Sequence, residues 1–132
     1  MNNHYLGLGH IAIHTKDLEA SIAFYEKLGG TLAKRAVIHL PAGEKLLALV
    51  SFAGITLELI QSPTEVPMTE GCIPHFAIYV DDLDAAAAAV KAAGVDTFLT
   101  PSKNVLPNIF DGVENWFFTG PSGEQIELLH TL

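Results

Sequence analysis

Residues 10–29, HIAIHTKDLEASIAFYEKLG, recur as residues 75–94, HFAIYVDDLDAAAAAVKAAG, at a constant offset of 65 with no gap. An internal repeat constrains the fold more than any local propensity, because both copies must fold alike. His10 falls on His75, Ala12 on Ala77, Ile13 on Ile78, Asp17 on Asp82, Leu18 on Leu83 and Gly29 on Gly94. Each copy predicts a short strand, then an aspartate able to accept from the free N–H groups of a first helical turn. An amphipathic helix follows, with Leu18, Ile22, Tyr25 and Leu28 on one stripe and Leu83, Ala87 and Val90 on its counterpart. A glycine closes each helix, where a left-handed cap costs least without a Cβ.

The ends of the halves correspond at an offset of 69: GITLELI (54–60) lies over GEQIELL (123–129), with Glu58 on Glu127. The four extra residues are assigned to the middle of the second half, in the loop TPSKNVLPNIFDG around 100–112. Each half thus reads strand, helix and three strands, at about 8–15, 18–28, 31–39, 45–52 and 55–61, and at about 73–80, 83–93, 95–100, 113–119 and 124–130. PAGE (41–44), AG (53–54) and GPSG (120–123) supply turns, and the polar QSPTEVPMTEG (61–71) supplies the linker. The expected fold class is α+β: two βαβββ modules related by a pseudo-twofold axis, making a cupped mixed sheet with helices outside. A single domain, 1–132, is expected, with module 1 about 4–61, a linker 62–71 and module 2 about 72–131. Neither half alone buries enough surface to stand by itself.

Charge narrows the partners. The chain carries a formal net charge of −8 over 132 residues, Arg35 is its only arginine, and its lysines form no stripe. Nucleic acid and anionic membrane surfaces are therefore not expected partners. No apolar stretch is long enough to span a bilayer, since residues 46–60 are interrupted by Ser51, Gly54, Thr56 and Glu58. Cys72 is the only cysteine and the N-terminal residues lack the pattern of a secretory signal, so a cytoplasmic location is expected. A small molecule and a second protein chain remain.

Strand parity then groups the polar residues. If Ile11 and Ile13 pack on the helix, His10, Ala12 and His14 point to the opposite face, as do His75, Ala77 and Tyr79. Thr56, Glu58 and Ile60, and likewise Gln125, Glu127 and Leu129, share that inward face. Shared ancestry on a wet sheet face accounts for repetition. It does not account for the same two ligand types, imidazole and carboxylate, recurring at equivalent positions in each half. These donors suit nickel, cobalt, zinc, manganese or ferrous iron, and two carboxylates neutralise a divalent cation. Four protein ligands, His10, Glu58, His75 and Glu127, leave two octahedral positions for water or substrate oxygens.

The paired βαβββ modules, this ligand order and the closing FFTGPSGEQIELL resemble the vicinal oxygen chelate superfamily over essentially the whole chain. Within it, the His/Glu/His/Glu order is similar to lactoylglutathione lyase (glyoxalase I). The resemblance implies one divalent metal per site, held by His10, Glu58, His75 and Glu127. It also implies a lyase or isomerase moving a proton through a metal-stabilised enediolate on a small substrate with vicinal oxygens, such as the thiol adduct of a 2-oxoaldehyde. Glu127 is the expected base, with Glu58 its pseudo-symmetric rival. His14 stands where bacterial lactoylglutathione lyases carry an arginine for a glutathione carboxylate. His14 is thus a weaker anchor, a group behind the ligands, or the mark of a different substrate. Thr56, Tyr79 and Gln125 are candidate substrate contacts, as are the aromatics Trp116 and Phe118, which suit the core better.

Three other readings compete. An epimerase of the same superfamily carries glutamine where this chain has Glu58. An extradiol dioxygenase holds iron through His10, His75 and Glu127 alone and leaves Glu58 without a purpose. A binder of the bleomycin-resistance type sequesters a ligand without chemistry and usually lacks the metal set. His4, His39 and His130 are expected to face solvent, and the loop 101–112 to be a surface connection long enough for a lid. The expected assembly is a homodimer, since sheets of this type expose edges. The site closes either within one chain or across that dimer.

Overall fold

The computed structural model describes residues 8, 10–66 and 75–132. His4, Cys72, the ends of the strands expected from 8 and 73, and the last part of the expected linker lie outside them. The chain divides into two compact units, 1–66 and 67–132.

The first unit runs β1 (Ile11–His14), α1 (Leu18–Lys27), β2 (Thr31–Leu40), β3 (Gly43–Phe52) and β4 (Ile55–Gln61). The second runs β5 (His75–Tyr79), α2 (Leu83–Ala92), β6 (Asn104–Leu106), β7 (Val113–Thr119) and β8 (Gln125–Thr131). Each forms a four-stranded mixed sheet with equivalent strand order, β1-β4-β3-β2 and β5-β8-β7-β6. The first strand of each unit lies parallel to the last, and the other pairs are antiparallel.

The helices start and stop as the repeat predicts. Asp17 and Asp82 each accept from the backbone N–H three residues on, Ala20 and Ala85, both at 3.0 Å. Gly29 and Gly94 follow with φ of 96° and 94°, left-handed values that a β-carbon would strain. Helix α1 packs on β2, β3 and β4, and α2 on β7 and β8. Leu18, Ile22 and Tyr25 meet Val50, Leu57 and Leu59 in a buried layer, while Leu83, Ala87 and Val90 face Ile126, Leu128 and Phe118. Ser21, buried under α1, donates to Thr15 Oγ1 at 2.8 Å and so enters the apolar stripe with its hydroxyl satisfied.

The second strand of the second unit departs from expectation. Residues 95–100 form no strand: Phe98 makes a single bridge to Phe118, flanked by Thr119 N to Thr97 O at 3.2 Å and Leu99 N to Phe117 O at 2.9 Å. Residues 100–103 then loop out, with Pro101 unable to donate to a ladder. Thr100 Oγ1 donates to the Ser102 carbonyl across that loop. The chain regains the sheet edge as β6, inside the segment expected to be loop, pairing Asn104 with Asn115. In the first unit the equivalent strand β2 runs unbroken for ten residues, absorbing one irregularity between Leu32 and Lys34.

Core and cap weights differ predictably. Leu57→Ala, at a fully buried position, should cost about 2–5 kcal/mol, and Asp82→Ala about 0.5–2 kcal/mol, in urea unfolding. Equal losses at the two positions would contradict the packing described.

Candidate metal centre

Parallel pairing sets the position of each glutamate. β4 places Glu58 beside Ala12 of β1, and β8 places Glu127 beside Ala77 of β5. Two residues before each alanine, on the same sheet face, stands a histidine, so each imidazole lies diagonal to its carboxylate. Alanine at the directly paired position has no side chain long enough to cover the carboxylate. That role for Ala12 and Ala77 was not drawn from the sequence, although both alanines repeat there.

The same atoms approach in both units. His10 Nε2 lies 3.4 Å from Glu58 Oε1, and His75 Nε2 lies 3.2 Å from Glu127 Oε1. Two ligand atoms adjacent on an octahedral ion, each about 2.1 Å from it, sit about 3 Å apart. Both pairs are within a few tenths of an ångström of that spacing. Imidazole and carboxylate therefore fit a divalent cation in donor type and in separation. Within either unit, among the described residues, no third histidine, cysteine, aspartate or glutamate joins its pair to make a metal-sized group. Each unit supplies two donors.

The two glutamates have different surroundings. Asn115 Nδ2 donates to Glu127 Oε2 at 2.9 Å, and Asn104 Nδ2 donates to Asn115 Oδ1 at 3.1 Å. Glu127 and Asn115 are both buried, whereas the Glu58 side chain keeps 22% of its exposure. Asn115 pairs with Leu129 on β8, and its counterpart on β3 is Leu47, paired with Ile60. The first unit thus has leucine where the second has an amide. No residue-type match in the repeat advertised this pair of asparagines, because the repeat is weakest along β3 and β7.

Other expected contacts separate by face. Thr56, on β4, and Gln125, on β8, share the glutamate face, with Gln125 paired to His75. His14 and Tyr79 end β1 and β5 on that face and are exposed. Trp116 and Phe118 do not line it. Trp116 lies under the Lys91 ammonium of α2, 4.2 Å from the ring centroid, and donates its indole N–H to the Thr100 carbonyl. Phe118 is fully buried on the helix side. A second aromatic on the glutamate face, besides Tyr79, is Phe117, paired with Glu127 and edge-on to His75 at 5.1 Å between centroids. Strand parity from Glu127 reaches Phe117 directly and could have found it.

The basic groups are similarly sorted. Arg35 makes a two-pronged contact with Glu19 of α1, both bonds 2.7 Å, which places it on the helix side of β2. That pairing raises the Arg35 pKa and lowers the Glu19 pKa, through the hydrogen bonds first. Lys103 bonds Glu114 at 2.6 Å and Asp84 at 3.0 Å, and these carboxylates hold its ammonium above the ordinary lysine value. His39 is exposed as expected, whereas His130 is half-buried: its side chain keeps 31% of its exposure, with Nδ1 buried 3.6 Å from Glu114 Oε2 and without a hydrogen-bond partner. Parity on β8 puts His130 with Leu128 on the packed face, which the expectation of solvent exposure overlooked.

Two βαβββ units, each with a histidine–glutamate pair on its helix-free sheet face, have the architecture of the vicinal oxygen chelate fold. The profile of the Glyoxalase/Bleomycin resistance protein/Dioxygenase superfamily matches residues 7–128, and the chain belongs to that superfamily. A Bacillus subtilis (strain 168) protein, the uncharacterized protein YwbC, is 33% identical over 124 residues, covering 91% of this chain and 94% of its own. Among solved structures, a glyoxalase family protein from Enterococcus faecalis superposes with a TM-score of 0.74 at 22% identity, covering 95% of this chain and 98% of that one. The fosfomycin resistance protein FosX from Listeria monocytogenes, as a variant complexed with Mn(II) and 1S,2S-dihydroxypropylphosphonic acid, gives 0.66 at 19% identity, covering 94% and 91%. A lactoylglutathione lyase from Agrobacterium tumefaciens gives 0.64 at 20% identity, covering 97% and 96%. Among the described residues, no helix is long and apolar enough to cross a membrane.

The assignment of faces is open to test. Lys91→Ala should change the emission of Trp116, the only tryptophan, and cost about 0.5–2 kcal/mol of stability. Unchanged emission would place the indole away from α2.

Proposed function

We propose that the protein is a metal-dependent lyase or isomerase, acting by proton transfer on a small substrate with vicinal oxygens. The observation that carries this reading is the duplicated pair: His10 with Glu58 and His75 with Glu127, through the same atoms at 3.4 and 3.2 Å. The two units act as one domain, and the four residues hold one divalent ion, nickel, cobalt, zinc or manganese. The four donors come from one chain or from the two chains of a homodimer, and the partner is a small molecule. Manganese in the Listeria FosX complex supports a divalent ion on this fold.

Such an ion, when bound, polarises vicinal substrate oxygens and stabilises the negative charge that develops as a proton leaves the adjacent carbon. Glu127 takes that proton and returns it to the neighbouring carbon. Its Oε2 is already engaged by Asn115, so Oε1 is the oxygen presented to the face shared with His75. Glu58 balances the cation's charge from the first unit. Phe117 packs edge-on against the His75 ring and fixes its plane. His14, Thr56, Tyr79 and Gln125 surround the substrate. Because Arg35 is committed to Glu19 on the helix side, the described basic side chains give no arginine clamp for glutathione carboxylates. A substrate smaller or less anionic than a glutathione adduct suits this face better, in a soluble, cytoplasmic setting.

Elemental analysis of protein purified without a chelating column tests the reading. One nickel, cobalt, zinc or manganese per chain, removed by chelation, is the expected result. Exchange of substrate carbon-bound hydrogen with solvent should then depend on the restored metal. Glu58→Gln should remove most of that exchange. A chain that stays metal-free after reloading with each ion would overturn the enzyme reading and leave a binding protein. Iron with activity indifferent to Glu58→Gln would indicate a dioxygenase instead.

A further inference from the structure

The two half-sites match in their ligands and differ in what stands behind them. Glu127 is held from the sheet side by Asn115, which is itself held by Asn104, forming a row from the edge strand β6 through β7 to β8. Each bond has ordinary geometry, 3.1 and 2.9 Å, and the inner members are buried. A buried amide donating to a carboxylate fixes which oxygen is free and which way the group is turned. At Glu58 the corresponding position is Leu47, which donates nothing, and the residue opposite Leu47 on β2 is Ala36. The broken second strand has a purpose in this light. Looping out residues 100–103 lets β6 re-enter the sheet with Asn104 opposite Asn115.

We propose that Asn115, oriented by Asn104, is a positioning residue: it clamps Oε2 of Glu127 so that Oε1 is presented beside His75, making the second half-site pre-organised and the first adjustable. This inference rests on the metal-dependent reading above. The clamp removes the rotational freedom of one carboxylate before an ion or substrate arrives, whereas Glu58 must be ordered on binding. The asymmetry also separates two chemically identical groups. Glu127 presents one defined oxygen beside His75, and Glu58 keeps the freedom to turn.

The test uses the full-length protein. In metal-free protein, the side-chain amide signals of Asn115 in a ¹⁵N–¹H spectrum should show hydrogen-bonded shifts and slow exchange, both lost in Glu127→Ala. Cobalt(II) titration followed by absorbance should show a 10–100-fold weaker affinity in Asn115→Leu, the residue the first unit carries at that position. Asn104→Ala, at an exposed edge residue, should weaken binding in the same direction by less, and guards against a fold defect in Asn115→Leu. Both variants should keep the far-ultraviolet spectrum of the parent. Asn115→Leu and Asn104→Ala binding cobalt as tightly as the parent would overturn the clamp while leaving the metal site intact. Asn115 amide signals indifferent to Glu127→Ala would overturn it independently of any metal. A parent that binds no divalent ion, even with the Asn115 shifts present, would remove the metal reading and with it any role for the clamp in an active centre.

Discussion

Everything at the candidate centre depends on one constraint: the first strand of each unit lies parallel to the last, in a register that puts alanine beside glutamate. Ala12 against Glu58 and Ala77 against Glu127 fix the sheet position of each carboxylate, and the histidine two residues earlier follows from the two-residue period of a strand. A slip of β1 by one residue against β4 would send His10 to the helix face, away from Glu58, and bring Ile11 and Ile13 out of the core. Burial of Leu57, Leu59, Ile126 and Leu128 under the helices therefore holds the register that sets each histidine beside its glutamate. The apolar layer and the polar face are two consequences of the same alternation. Stability and ligand geometry cannot be varied separately along these strands.

Much of this was legible because the repeat supplied a second copy of every inference. The helix caps at Asp17 and Asp82, the stripe Leu83, Ala87, Val90 and the inward histidines and glutamates all fall where the duplicated pattern puts them. What escaped lies where the halves diverge. An unbroken 95–100 strand was expected by analogy with β2, but a looped-out TPSK with a proline has no analogue in the first unit. Asn104 and Asn115 were invisible for the same reason, since their counterparts Ala36 and Leu47 share no chemistry with them. His130, expected to face solvent, is half-buried on the helix side of β8. Its parity with Leu128 was the better guide.

The divergence is informative physically. A duplicated module starts with two equal carboxylates, and equal groups around one ion have no reason to play different parts. Substituting amides along one unit's second and third strands changes the surroundings of one glutamate without touching the histidine or the glutamate itself. Environment, rather than identity, then distinguishes residues of the same type, as it does wherever paired carboxylates share a centre. The sorting of basic groups works in the same way. Arg35 pairs with Glu19 behind β2, so the helix-free face of the first unit carries the His10 imidazole and no guanidinium.

The central claim is that two half-sites make one metal centre, and cobalt(II) stoichiometry in two paired variants tests it most directly. One variant carries His10→Ala with Glu58→Ala, and the other His75→Ala with Glu127→Ala. One tightly bound ion per chain in the parent, with tight binding abolished in both variants, is the predicted result. Two ions per parent chain, each surviving loss of the other pair, would contradict it and make the units separate binding modules.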